Sequence, residues 1–127
     1  NILNFGHTLG HAMESHSMHD GLGHGEAVAL GMRAMLAFSQ ETLGLSRSDA
    51  RLVHQALDAM DLPGDWAPRI SPEVLKRIHL DKKTTATQLN IILLRALGDP
   101  VIKTVSVEDF ITKISALARK QLASEAT

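Results

Sequence analysis

The stretch Asn4-Phe5-Gly6-His7-Thr8-Leu9-Gly10-His11-Ala12-Met13-Glu14, followed by His24-Gly25-Glu26-Ala27-Val28, decides how this chain is read. His7 and His11 lie four residues apart, so a helix through them carries both imidazoles on one face. His24 comes after a short polar loop and opens a second, apolar helix. Histidines from two helix ends can meet at one point, and imidazole is the commonest protein ligand for a divalent transition metal. Gly6 and Gly10 are unexpected beside them, since a glycine costs a helix interior roughly 1 kcal/mol and the sequence shows no structural need for either. Small residues next to histidines suit a helix whose backbone something bulky must approach. The segment reads as half of an active site.

Composition narrows the chemistry around that segment. The 127 residues carry a formal net charge of −1, with 13 Lys and Arg against 14 Asp and Glu. A dedicated nucleic-acid binder shows a basic excess, so nucleic acid is not the expected partner. With no cysteine there is neither a disulfide framework nor a thiolate site, and a metal must be held by His, Asp or Glu. The same absence fits a reducing, cytoplasmic setting. No apolar run reaches the roughly 18 residues of a membrane span, and no signal-peptide pattern opens the chain. Asn1 falls within the motif region, which leads us to expect a piece of a longer protein whose remaining site residues lie upstream.

Read onward, the chain is mainly α: a multi-helical domain, residues 1–127, with one small β-hairpin. Ile2, Phe5, Leu9, Ala12 and Met13 recur at helical spacing and predict a helix from residue 2 to about 18. The loop His16–Gly25 ends it. Glu26–Leu43 is strongly apolar, with charge only at Glu26, Arg33 and Glu41, the pattern of a central buried helix, and Gly44 is placed to stop it. Ser46 and Ser48 are both candidate caps for a third helix, Asp49–Asp61, with Leu52, Val53, Ala56, Leu57 and Met60 as its stripe. Leu62-Pro63-Gly64-Asp65 breaks it, and Trp66–Ile70 reads as a linker. Pro72 starts a short helix to about Leu80, and Asp81-Lys82-Lys83-Thr84-Thr85 reads as a charged loop. Leu89–Leu94 and Val101–Val105 predict two strands around a Gly98 turn. A last helix follows Ser106 and frays from about Ala123.

Catalytic metal sites need imidazoles or carboxylates at fixed distances and one open position. His7 and His24 are the leading pair, each beside glycine. His11 is a third ligand, an acid–base group beside the metal, or a solvent-facing residue. Glu14 and Glu26 are either ligands or hydrogen-bond partners of the histidines. His16 and His19 fall in the polar loop and are solvated; His54 and His79 belong at a surface or core edge. Lys82 and Lys83 suit a phosphate or carboxylate, although a loop lysine pair is ordinarily a solvated surface.

These residues, together with His24-Gly25-Glu26-Ala27-Val28-Ala29-Leu30-Gly31-Met32 and Asp81-Lys82-Lys83, resemble the C-terminal half of the 3-dehydroquinate synthase family. The resemblance implies a two-domain cytoplasmic enzyme that tends to dimerise. Its N-terminal domain, absent from this chain, binds NAD; the helical domain supplies most metal and substrate contacts. The implied reaction oxidises 3-deoxy-arabino-heptulosonate 7-phosphate transiently with NAD, eliminates phosphate, reduces the product again and closes a carbocycle by an aldol step. A divalent metal, zinc or else cobalt, holds the substrate hydroxyls. By this match His7 and His24 are metal ligands, with a third, a glutamate, upstream. Asn4 and His11 contact the substrate, His11 near the hydroxyl that is oxidised. Lys82, or else Lys83, meets its phosphate or carboxylate; Asn4, His11 and Lys82 are thus the implied catalytic groups.

The chain departs from the family pattern at Gly21-Leu22-Gly23, where Asn-Trp-Leu is frequent, so contacts in that loop are expected to differ. The arginine usual a few residues before Asn4 and the nucleotide-binding portion lie outside the chain, which is therefore expected to be inactive alone. Two alternatives remain open. One is a related sugar-phosphate cyclase or metal-dependent alcohol dehydrogenase; the other is a non-catalytic helical interaction module.

Overall fold

Because Glu26–Leu43 is apolar all round, other elements must cover it, and they do. A computed structural model describes residues 6–16, 21–83 and 88–126; within them, the side chains of residues 7, 15, 16, 81–83 and 126 lie outside the description. Its elements run α1 (His7–His16), α2 (His24–Leu43), α3 (Arg47–Ala59), a 3-10 turn (Ala67–Arg69), α4 (Pro72–Lys83), β1 (Gln88–Ala96), β2 (Asp99–Ser106) and α5 (Val107–Ala126). Helix α2 is buried from Ala27 to Ser39 on most of its circumference. Helices α1, α3 and α5 and strand β1 pack on it, and α4 packs between α1 and α5.

One principal core joins these elements. Leu9 and Met13 of α1, Leu30 of α2, Ile78 of α4, Leu93 of β1 and Phe110 of α5 are all at most 1 % exposed. Burying each such side chain contributes about 1.5–3 kcal/mol, which is what gives short helices such as α1 their stability. Phe38 stacks on Phe110, centroids 5.8 Å apart and planes 18° from parallel, joining α2 to α5. Ser39, 0 % exposed, ties α2 to the hairpin. Its hydroxyl donates to the Met35 carbonyl (2.8 Å) and accepts from the Leu94 amide (2.9 Å).

The termini of the elements follow local chemistry. Gly44 closes α2 in the left-handed region (φ 73°), where glycine alone has no Cβ penalty. Ser46, rather than Ser48, caps α3 by accepting from the Asp49 amide at 3.0 Å. Ser71 and Ser106 do the same for α4 and α5, from Val74 and Asp109. The hairpin is antiparallel with Ile92 opposite Ile102, and a shift in register falls between Leu94 and Ala96.

Several expectations are corrected. The first helix starts at His7, not before, because Gly6 sits at φ 75° and cannot be part of it; residues 2–5 lie outside the described residues. Lys82 and Lys83 are not in a loop: α4 runs on through Lys83, since nothing in Asp81-Lys82-Lys83 breaks a helix. Thr84 and Thr85 lie outside the described residues. The linker around Trp66 contains a 3-10 turn and contributes Trp66, 4 % exposed, to the core. The last helix holds to Ala126 instead of fraying from Ala123.

Candidate functional site

The N-terminal motif is organised by a helix crossing. Helices α1 and α2 run antiparallel, and their contacts step down both in register. Gly6 faces Gly31, where a Cβ on either residue would overlap the other's backbone. One turn on, a Cβ at Gly10 would lie 3.0 Å from the Ala27 carbonyl oxygen. One turn further, Glu14 meets His24, Oε1 to Nδ1 at 2.9 Å. The glycines at Gly6 and Gly10 thus have a structural need after all: the bulky object approaching α1 is the backbone of α2. Their effect on the histidines is indirect but definite. Close approach at two rungs brings the third within hydrogen-bond range.

At that third rung the Glu14 side chain is 35 % exposed and that of His24 70 %. The carboxylate accepts from Nδ1, so the other ring nitrogen of His24 is not engaged by this bond. Glu26 is used differently: its Oε1 accepts from the Gly23 amide at 2.8 Å, closing the first turn of α2. There its charge also suits the positive end of the helix. His11 lies on α1 with an exposed side chain. His7 opens α1, and Lys82 and Lys83 close α4, but the side chains of these three lie outside the description. Asn4 and His19 lie outside the described residues altogether. Among the described residues no three His, Asp or Glu side chains converge as a metal site. What the structure brings together is His24 of α2 and Glu14 of α1, the helix that also carries His7 and His11.

A second polar cluster escaped the sequence reading. Arg33 is only 4 % exposed, on the side of α2 facing α3. Its Nε donates to the Pro63 carbonyl (2.8 Å), Nη1 to His54 Nδ1 (3.0 Å), and Nη2 to Asp58 Oδ1 (2.7 Å) and the Leu62 carbonyl (3.1 Å). A signal was available: His54 and Asp58 lie four apart on α3, and Arg33 is a charge inside an otherwise apolar helix. The cluster is structural, linking α2, α3 and the segment after it.

Burial, and then the Arg33 guanidinium, push His54 below its ordinary 6.5, with Asp58 acting in the opposite sense. The unfolded chain therefore takes up this proton first as pH falls. The stabilisation is fully present above about pH 6.5 and is lost on descent toward the depressed folded value. Urea unfolding between pH 7.5 and 5 should show a steeper loss of stability in the wild type than in His54→Gln. Parallel profiles would contradict this assignment.

The fold defines a class that it shares with part of 2-deoxy-scyllo-inosose synthase. A solved structure of that enzyme, complexed with carbaglucose-6-phosphate, NAD+ and Co2+, matches 94% of this chain and 33% of its own with a TM-score of 0.69 at 24% sequence identity. A second structure of the same enzyme matches with a TM-score of 0.66 at 22% identity, over 94% of this chain and 32% of its own. The model of the family described as 3-dehydroquinate synthase C-terminal matches residues 1–84, and the chain belongs to that family. The 3-dehydroquinate synthase of Clostridium botulinum is 38% identical over 109 residues, covering 86% of this chain and 31% of the relative. That of Xanthomonas oryzae pv. oryzae is 38% identical over 122 residues, covering 91% and 33%. The chain spans about a third of the length of the curated relatives it matches.

Proposed function

We propose that this chain is the metal- and substrate-binding part of a 3-dehydroquinate synthase, acting with an N-terminal NAD-binding domain in a cytoplasmic, homodimeric enzyme. Its substrate is 3-deoxy-arabino-heptulosonate 7-phosphate, and its products are 3-dehydroquinate and phosphate. The observation that carries this reading is the family match over residues 1–84, which takes in the α1–α2 crossing and the lysine pair at the end of α4.

The donor chemistry fits a divalent cation: His24 is exposed at the crossing, with one ring nitrogen bonded to Glu14 and the other left for a ligand. His7 and His24 would hold it, zinc in the first instance, with a third ligand supplied from upstream. When bound, the cation would supply Lewis acidity to the substrate hydroxyl that is oxidised, and NAD would supply the reversible hydride chemistry. The chain's own residues do the rest. His11, exposed on α1, holds and moves the proton of that hydroxyl. Asn4 orients the substrate by hydrogen bonding. Lys82, helped by Lys83, places positive charge where the phosphate departs.

Calorimetric titration with zinc is expected to show a binding heat that disappears in the His7→Ala/His24→Ala double variant; an unchanged heat would favour a helical interaction module. A panel of sugar phosphates, assayed with the full-length protein, should give turnover with 3-deoxy-arabino-heptulosonate 7-phosphate. Turnover confined to another sugar phosphate would assign the chain to a related cyclase.

A further inference from the structure

We propose that Glu14 is a positioning residue for His24: by accepting the Nδ1 proton it holds the imidazole in one tautomer and turns Nε2 outward as the donor to the cation. The proposal rests on the metal-binding reading above and adds to it a residue that reading leaves without a task.

Three observations carry it. The contact is short, 2.9 Å, and joins residues ten apart on different helices, so it is made by the fold and not by neighbouring backbone. Glu14 cannot easily move away, because its predecessor Met13 is 0 % exposed in the core and Gly10, one turn back, is pressed against Ala27. The other carboxylate nearby, Glu26, already accepts from the Gly23 amide and is occupied in closing α2. A carboxylate on Nδ1 has one chemical consequence. The proton stays on Nδ1, and Nε2 keeps its lone pair for a cation. Were Glu14 itself a ligand, its charge would be spent on the metal and the imidazole would lose this partner.

Two variants separate these roles. Glu14→Gln keeps a side-chain oxygen able to accept from Nδ1, whereas Glu14→Ala removes the acceptor; alanine favours helix, so neither is expected to unfold α1. Nitrogen-15 histidine spectra of the metal-free chain should show His24 as the Nδ1–H tautomer in the wild type and in Glu14→Gln, and mainly as Nε2–H in Glu14→Ala. Zinc affinity should fall roughly 10- to 100-fold in Glu14→Ala and distinctly less in Glu14→Gln. An unchanged tautomer in Glu14→Ala overturns the proposal, and so does an equal loss of affinity in both variants, which would make Glu14 a direct ligand. If the wild type takes up no zinc while the tautomer still switches, the metal reading fails and the ring-fixing bond stands.

Discussion

Gly31→Ala is expected to destabilise the domain by about 2 kcal/mol or more, although alanine favours helix over glycine by about 1 kcal/mol. The sign is decided by what the added methyl meets. It would overlap the carbonyl of Gly6 and stand 3.0 Å from the amide nitrogen of Gly10. Both are backbone atoms, so no side chain can swing aside, and the helices must separate. Separation strips contacts from Leu9 and Met13 of α1, both 0 % exposed. The control is Gly25→Ala, on the same helix, where a Cβ would meet nothing within 4 Å. There the propensity gain is unopposed, and stability should stay level or rise by up to about 1 kcal/mol. Denaturant midpoints for the pair decide the matter. Similar midpoints for the two variants would mean that the crossing is not close-packed.

Arg33→Met should cost about 2–3 kcal/mol while Asp58→Asn costs less than about 1 kcal/mol. Methionine keeps most of the stem but removes the fork, leaving the Pro63 and Leu62 carbonyls without their donor. Losing the donor from part-buried groups such as these carries a desolvation penalty. Asp58, by contrast, is 65 % exposed, so water substitutes for the lost ion pair and screens what remains. Arg33 in turn retains three other partners when Asp58 is changed. Matched losses in the two variants would show that the ion pair, and not the carbonyl contacts, carries the cluster.

The helices were legible because their apolar residues recur at a period that only a helix satisfies, and the hairpin because Leu89–Leu94 is too short and β-branched for one. Gly44, Pro72 and Ser106 marked element ends correctly because their effects are local. What escaped depends on contacts between distant positions. Arg33 and Pro63 are thirty residues apart, and Ser39 and Leu94 fifty-five. The purpose of Gly6 and Gly10 was hidden for the same reason: a gap in a helix surface has no meaning until the other helix is in place. Lys82 and Lys83 resemble a loop in sequence because they are charged, yet charge does not end a helix, and α4 continues through them.

At the candidate site, the motif named the segment that carries the Glu14–His24 contact, and Glu14 was one of two carboxylates open to partnering a histidine. Choosing between them required the crossing register. Glu14 faces α2, while Glu26 bonds back to its own first turn.

Helix α2, 20 residues long and so about 30 Å from end to end, resembles a cantilever. It is gripped along its shaft by Gly31, Arg33 and Ser39, and its exposed tip, His24–Glu26, is steadied against α1 by the Glu14 contact. A beam of this kind magnifies at its exposed end any tilt imposed where it is anchored. Loosening the grip at Arg33, roughly 13 Å along the shaft from His24, would therefore misaim the imidazole without touching it.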